Sequence, residues 1–411
     1  MYSSTTLGEM VVDGMIRYEL KKVFSKSINR ILILILVLVA FVFSCLAIWS
    51  VTYVDGNGNT HNGVASTRRL CKSKSKYEGV LSPDVIKGVI LQDRDIKEQY
   101  GSEIPDSVYA KGAQEYGDIK DLCVSILCYD KEFDESVLDG LEINDADRIY
   151  EIRKDNIIRG INEYGITDAQ KQFLEKEFSK TKAPFDYEPA DSWKTMGLYA
   201  TTYAIVLLMV IAFIAAGIFS EEYEMQADTV FFSTKWGRSK GTKAKIVTGL
   251  IVATVIYWLS MALLSLLSFG VMGVSGARSP IQIEYSYCIY NLTFAQRYLV
   301  ILWSGYIGCF LAATIAMFAS AKYHSSRMAI CFPFVIFIVS PFIGRVLPFK
   351  GFFNVTPDQL LNVYNCIRLP LLYQIGECVV TQIPLIIVGY TIIAIIIIPL
   401  IYFSFNKYRA R

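Results

Sequence analysis

Six stretches of the sequence contain no charged residue, and their lengths set the first expectation about the fold. A spanning helix needs about 20 apolar residues to cross about 30 Å of hydrocarbon. Five stretches reach that length, whereas one is shorter and contains two prolines, so we expect it to be kinked or to place Arg345 at the membrane interface. The pattern predicts an all-α membrane protein with about six transmembrane helices, at residues 31–54, 195–220, 246–277, 298–321, 328–347 and 378–406.

Composition and charge indicate one large polar domain between the first two helices. The chain is 53% hydrophobic and 19% charged, whereas a soluble domain has about 45–50% apolar and about 25% charged residues. Residues 55–194 hold 28 of the 38 acidic residues but only 20 of the 40 basic ones, a net charge of −8. We therefore predict that residues 55–194 form a water-exposed domain inserted between helices 1 and 2.

This domain is predicted to be mostly α-helical. Apolar residues recur at helical spacing within 85–90 and again within 149–158. Pro83 and Asp168 fit the first positions of helices, because proline lacks the amide hydrogen that a first turn leaves unused and an acid suits the positive helix end.

Catalytic and cofactor chemistry find little support in the sequence. His61 is the only histidine of residues 55–194, and no pair of acidic residues stands out among the lysines around them. The glycine- and lysine-rich run at 237–243 lacks the four-residue gap of a phosphate-binding loop. We therefore predict neither an enzyme nor a bound cofactor or metal. Cys123 and Cys128 either form a local disulfide in an oxidising compartment or remain free.

Basic residues indicate the orientation of the helices, because short cytoplasmic loops are enriched in lysine and arginine. With the N-terminus inside, the cytoplasmic segments contain 15 basic residues, against 5 in the short external loops. A multi-pass protein of the cell membrane follows, with residues 55–194 outside and both termini, including the tail 407–411, in the cytoplasm. Within the N-terminal segment 1–30, residues 15–30 mix apolar and basic positions at helical spacing, which favours an interfacial amphipathic helix over a simple basic flank.

The predicted cytoplasmic loop 221–245 combines charge with an apolar centre. Acidic residues come first, and a short helix starting there would hold them favourably at its positive end, with basic residues near its other end. Exposed apolar side chains between these charges suggest a docking surface, although an ordinary interfacial loop would show a similar composition. The residues that we assign to this surface are Glu221, Glu222, Glu224, Val230, Phe231, Phe232 and Arg238.

The same loop carries a resemblance to a known family. The run SEEYEMQADT at 220–229, followed by VFFSTKWGR at 230–238 and KAK at 243–245, resembles the coupling loop of type-2 ABC exporter permeases, with Ala227 where many of them have glycine. Residues 15–30 resemble the N-terminal interfacial helix of that family, and residues 145–153 and 183–193 resemble a Gram-positive subset with a large external domain after the first span.

The resemblance implies a permease that pairs with a second copy or a sister permease in membrane lipid and docks separate ABC ATPase subunits, which would bind the ATP. It implies export of a peptide, an antibiotic or another amphipathic compound, including self-immunity, and no contact with nucleic acid. The alternative is a membrane sensor or structural membrane protein whose external domain binds a ligand. A membrane enzyme or an ion-coupled transporter would favour charged residues inside the spans, and the uncharged stretches contain none.

The predicted orientation can be tested by labelling intact cells. We expect a membrane-impermeant cysteine reagent to reach residues 55–194 from outside, and a reporter fused after Arg411 to behave as cytoplasmic. The basic-residue asymmetry is the physical reason. Protection of residues 55–194 until the membrane is opened would overturn the orientation.

Overall fold

The structure is a computed structural model that describes residues 4–101, 103–129, 131–163, 166–347 and 350–407. It confirms a predominantly helical chain in which six helices of the described part are long and apolar enough to cross a membrane. These six helices are Ser27–Ser50, Asp191–Glu224, Gly237–Met272, Phe294–Tyr323, Ser326–Gly344 and Gln382–Asn406.

The chain begins with two helices that meet at a sharp bend. Helix α1 (Ser4–Ser25) is separated from α2 (Ser27–Ser50) by Lys26, whose backbone is extended. Ser27–Arg30 therefore belongs to the apolar helix rather than to the predicted amphipathic one. The predicted end of this span at residue 54 is wrong, because 52–54 form a strand.

Seven helices and two pairs of short strands make up residues 52–190. Strand β1 (Thr52–Val54) pairs antiparallel with β2 (Thr60–Asn62), and β3 (Gly79–Val80) pairs with β4 (Asp186–Tyr187). The helices are α3 (Ser66–Lys74), α4 (Pro83–Tyr100), α5 (Asp106–Lys111), α6 (Ala113–Leu127), α7 (Ile143–Ala146), α8 (Ile149–Glu163) and α9 (Asp168–Ser179).

The predicted helix starts in this domain coincide with capped ends. Ser82 precedes α4 and accepts a hydrogen bond from Val85 N, while Thr167 and Gln170 form a reciprocal capping box at the start of α9. Cys123 and Cys128 are both buried and unbonded. Cys123 lies inside α6 and Cys128 directly follows it, so helical geometry directs the two side chains differently.

The domain core is completed by a segment from elsewhere in the chain. Ile283, in the connection between the third and fourth long helices, belongs to the same hydrophobic cluster as Ile86 and Ile119. Arg153 is 5% exposed and donates from Nε to Ser286 O at 2.7 Å. Residues 55–194 therefore depend on this connection for part of their core and for a partner of a buried arginine.

The remaining helices form the apolar bundle. They are α10 (Asp191–Glu224), α11 (Asp228–Ser233), α12 (Thr242–Met272), α13 (Phe294–Tyr323), α14 (Ser326–Phe334), α15 (Ser340–Val346), α16 (Lys350–Phe353), α17 (Val363–Arg368) and α18 (Gln382–Asn406). Helices α10 and α13 occupy the centre, since 67% and 61% of their most apolar windows are buried, against 22% for α2 and 17% for α18.

The fifth apolar stretch is interrupted, in agreement with its two prolines. Helix α14 contains Pro333, a π-helical turn covers Val335–Val339, and α15 begins next to Pro341. Proline removes a backbone donor and clashes with the preceding turn, which favours such a break. The predicted role of the Arg345 side chain and most of the predicted tail 407–411 lie outside what the structure describes.

Two predicted span boundaries are wrong for identifiable reasons. Strands β5 (Leu372–Ile375) and β6 (Cys378–Thr381) form a hairpin, so the last long helix begins at Gln382 and not at residue 378. Gly376 has a φ of 64°, as the first central position of a type II′ hairpin turn requires. The third long helix ends at Met272 and not at residue 277, because Gly273 adopts a φ of 88°.

A buried group of charges joins the domain to the bundle. Asp118 of α6 lies between Lys74 Nζ of α3, at 3.1 Å, and Lys194 Nζ of α10, at 2.9 Å. Lys74 also contacts Asp191 at 2.7 Å, and the Tyr187 hydroxyl donates to Asp118 at 2.9 Å. Burial alone would raise the pKa of Asp118, but the charges and hydrogen bonds of Lys194 and Lys74 hold it below its ordinary value.

Removing the Asp118 charge should weaken this junction. In Asp118→Asn the buried Lys74 and the half-buried Lys194 lose their shared partner, and breaking a buried ion pair costs about 3–5 kcal/mol. In the parent chain this stabilisation is complete above about pH 3.9, the ordinary aspartate pKa, and is lost as the pH falls through the lower folded-state pKa. The measurement is the free energy of unfolding in detergent, with the exposed Glu151→Gln variant as control. Equal stability of the two variants would contradict the role of the cluster.

Candidate functional site

The loop between the second and third long helices is built differently from the sequence prediction. Glu221, Glu222 and Glu224 do not start a short helix: they form the last turn of α10. Gln226 then turns the chain with a φ of 54°, and α11 begins at Asp228. The prediction of a favourable acidic first turn is therefore wrong for all three glutamates.

Acidic residues at a helix C-terminus oppose the helix dipole, and lysines from two other helices compensate here. Lys22 Nζ of α1 lies 2.8 Å from Glu222 Oε1 and 3.2 Å from Glu221 Oε2. Lys26 Nζ lies 2.7 Å from the same Glu221 oxygen. From the other side, Lys245 Nζ of α12 lies 2.8 Å from Glu222 Oε1. The glutamates thus bind α1 and α12 to the end of α10.

Lys245 is the most deeply buried charge of this network. Its side chain has 0% exposure and also contacts Glu19 Oε2 at 3.2 Å and donates to Ile218 O at 3.1 Å. An ammonium group removed from water needs several such acceptors. For Lys22, burial alone would lower the pKa, yet the hydrogen bond and charge of Glu222, with the charges of Glu19 and Glu221, raise it above its ordinary value.

The predicted aromatic anchors face the protein and not solvent. Phe232 is only 7% exposed, and its ring centroid lies 5.0 Å from that of Phe405, a fully buried residue near the end of α18. Phe231 contacts the same ring at 5.7 Å. Arg238 lies over the Phe232 ring at 5.2 Å. The predicted exposure is therefore wrong for Phe232, and Phe231 is half-buried, because both rings pack against Phe405.

A short connection with a π-helical turn joins α11 to α12. Gly237 starts a π-helical turn that ends at Gly241. A Cβ on Gly237 would lie against Phe231 O, so a side chain has no room there. Thr242 then donates to Asn406 Oδ1 at 3.2 Å, which ties the start of α12 to the end of α18.

The exposed apolar side chains of this loop are a different set. Met225, Val230 and Trp236 are 69%, 66% and 38% exposed. Lys240 and Lys235 lie over the Trp236 ring with their Nζ atoms 3.9 and 5.2 Å from its centroid. We call Met225, Val230, Trp236 and these two lysines the loop surface. Val230 was assigned from the sequence. The signal for Met225 and Trp236 was their residue type, since methionine and tryptophan are enriched at binding surfaces.

The loop also contacts the beginning of the interrupted fifth helix. Glu224 Oε1 accepts a hydrogen bond from Ser326 N, at the start of α14, at 3.0 Å. The rings of Tyr223 and His324 lie 4.0 Å apart beside it. Displacement of the loop would therefore act on α1, α12, α14 and α18 together. Among the described residues no group of three or more His, Cys, Asp or Glu side chains is arranged to hold a metal ion.

No protein-family model matches the sequence, and no curated protein matches it either.

Glu222 is expected to hold α1 in place. Glu222→Gln leaves Lys22 and the buried Lys245 without their shared charge, a change that costs about 3 kcal/mol or more in buried pairs. Because each 1.4 kcal/mol is about tenfold in an equilibrium constant, amide hydrogen exchange in residues 15–25 should accelerate roughly a hundredfold.

Hydrogen-exchange mass spectrometry of the full chain in nanodiscs provides the measurement. The matched control is Glu224→Gln, two residues further along α10. The carboxylate of Glu224 contacts Ser326 and not α1. Unchanged exchange in Glu222→Gln, or the same acceleration in both variants, would show that the network does not hold α1.

Proposed function

We propose that this chain is the membrane-spanning permease subunit of an ATP-driven ABC exporter. It pairs with a second copy or a sister permease in the cell membrane and moves a peptide, an antibiotic or another amphipathic compound. ATP is bound and hydrolysed by a separate ABC ATPase subunit. Residues 55–194 lie outside the cell and both termini lie in the cytoplasm.

One observation carries this proposal: the loop between the second and third long helices packs against other helices on one side and exposes apolar side chains on the other. The short helix α11 packs against Phe405 through Phe231 and Phe232, while Met225 and Val230 are exposed. An exposed apolar patch rimmed by cations is a typical protein-docking surface. A subunit that presses on α11 would displace this helix, and the contacts described above would transmit the displacement to α1, α12, α14 and α18.

The charge distribution supports the proposed side of the membrane. The loop surface carries Lys235 and Lys240 and adjoins Arg238. The N-terminal segment adds Lys22 of α1 and Lys26, the residue that follows α1. Basic residues of this density favour the cytoplasmic side, where an ATPase subunit would be found.

A sensor with a ligand-binding external domain is the second candidate, and a cavity favours it. A mainly apolar cavity of about 240 Å³ lies between α8, α9 and the strand β5, and its walls include Tyr129, Ile157, Phe178 and Leu372. A sensor would bind its ligand in this cavity, whereas its loop surface would have no partner. The following experiment therefore separates the two candidates.

Val230→Asp should strongly weaken docking of the ATPase without disturbing the fold. The side chain is 66% exposed, so an aspartate is tolerated in the free chain, but a charge buried without a partner in an interface centre commonly costs about 2 kcal/mol or more. That cost corresponds to roughly thirtyfold weaker binding. The measurements are co-purification of an ABC ATPase, identified by mass spectrometry, from membranes of the native host, and ATP hydrolysis by the complex.

Val274→Asp is the matched control. Val274 is 60% exposed and follows the other end of α12, far along the same helix from the loop surface. We expect this variant to retain the ATPase and its activity. If no ABC ATPase accompanies the parent chain, or if Val230→Asp retains it as fully as the control does, the permease function is refuted.

A further inference from the structure

A deep cleft opens beside the interrupted fifth helix. It has a volume of about 570 Å³, within the range of about 300–1,000 Å³ that small-molecule sites occupy. Helix α10 forms one wall with Thr201 and Ile205, and the π-helical turn and α15 form another with Phe337 and Pro341. The third wall is the segment that follows α16, where Asp358 lies.

That third wall reaches far into the apolar bundle. A 3₁₀ turn at Pro357–Leu361 places Leu360 O within 2.8 Å of the Ser304 hydroxyl, which donates to it. A Cβ on Gly308 would touch the Leu361 side chain at 3.4 Å. Ser304 and Gly308 lie near the middle of α13. The segment after α16 therefore enters the bundle and returns, and irregular backbone at this depth is tolerated where protein or a cavity surrounds it.

Asp358 brings a carboxylate into this apolar setting. The residue is 5% exposed, and its described partners are neutral donors: Ser340 Oγ at 3.5 Å and Gln359 Nε2 at 3.0 Å. Among the described side chains, which do not include those of Arg345 and Lys350, none forms a salt bridge with it. A carboxylate at membrane depth is costly without a cation, and such residues commonly mark ligand paths.

We infer that this cleft is a binding site for a lipophilic cation, a molecule with an apolar body and a protonated amine. The ammonium group would lie against Asp358, and Asn354 on the same wall offers an amide oxygen to one of its remaining hydrogens. The apolar body would lie between Ile205 and Phe337. The inference that a ligand binds here depends only on the cleft. The interpretation of that ligand as the transported cargo rests on the transport function proposed above.

The carboxylate of Asp358 selects among amphipathic ligands by the charge of their polar end. An anion of the same shape would meet a buried carboxylate, and a neutral molecule would bring no counter-charge to it. Hydrogen bonds to an ionised group are roughly twice as strong as neutral ones. The site therefore discriminates between an amine and the alcohol of identical length.

The test uses the full chain in nanodiscs of zwitterionic phosphatidylcholine, without any ATPase subunit. Two photoreactive probes share one alkyl chain with a diazirine and differ in the end group, a primary amine or a hydroxyl. After irradiation, mass spectrometry locates the labelled residues. We expect the amine to label residues 337–362 and 201–205 about tenfold more than the alcohol does. In Asp358→Asn this excess should disappear.

Two further variants complete the design. Glu377→Gln removes an exposed carboxylate in the β5–β6 turn, outside the cleft, and should label like the parent chain. Ile205→Trp keeps the carboxylate but fills the cleft, and should reduce labelling by both probes. Equal labelling of the parent by amine and alcohol, or an undiminished amine signal in Asp358→Asn, overturns the site.

If Asp358→Asn does not yield a monodisperse protein, Ile205→Trp decides the question. Amine labelling of the filled cleft at the parental level then overturns the proposal, and its loss supports it. Because no ATPase is present, failure here leaves the docking experiment on Val230 unaffected, and the reverse also holds.

Discussion

Lys245 imposes the constraint on which the loop architecture depends. Its ammonium group has no exposed surface, and it lies where the third long helix meets the end of the second. A charge in such a place must be surrounded by acceptors, so α10 has to continue as far as Glu222 and α1 has to present Glu19. The position of α1 against the ends of α10 and α12 agrees with this requirement.

A second buried charge cluster lies at the opposite end of the same helix. The first turn of helix α10 contains Asp191 and Lys194, which join Lys74 and Asp118 of the domain, and its last turn contains Glu222. With 34 residues at 1.5 Å rise it is roughly 50 Å long. Both clusters tolerate little displacement, because separation would leave buried charges without partners. Helix α10 is therefore a continuous helix, fixed by ion pairs at both ends, that connects the domain to the loop surface.

Hydrophobic runs and helix caps could be predicted from sequence because each depends on neighbouring residues. The six apolar helices and the starts at Pro83 and Asp168 belong to this group. The β5–β6 hairpin was missed because Val379 and Val380 extend the last apolar run without interruption, and only Gly376 marks the turn. The dependence of the domain core on Ile283 was missed as well, since nothing local in either segment indicates that contact.

The candidate sites depended on partners distant in sequence, and there the local pattern was misleading. Phe231 and Phe232 have the composition of an exposed docking patch, but both rings pack against Phe405, more than 170 positions later, so that Phe232 is buried and Phe231 is half-buried. Asp358 escaped notice for the opposite reason. It lies in a polar connection between two apolar stretches, and nothing in the local sequence indicates that this connection enters the bundle. In a polytopic protein the functional charges can therefore come from the connections, where Asp358 can be held at depth without interrupting any spanning helix.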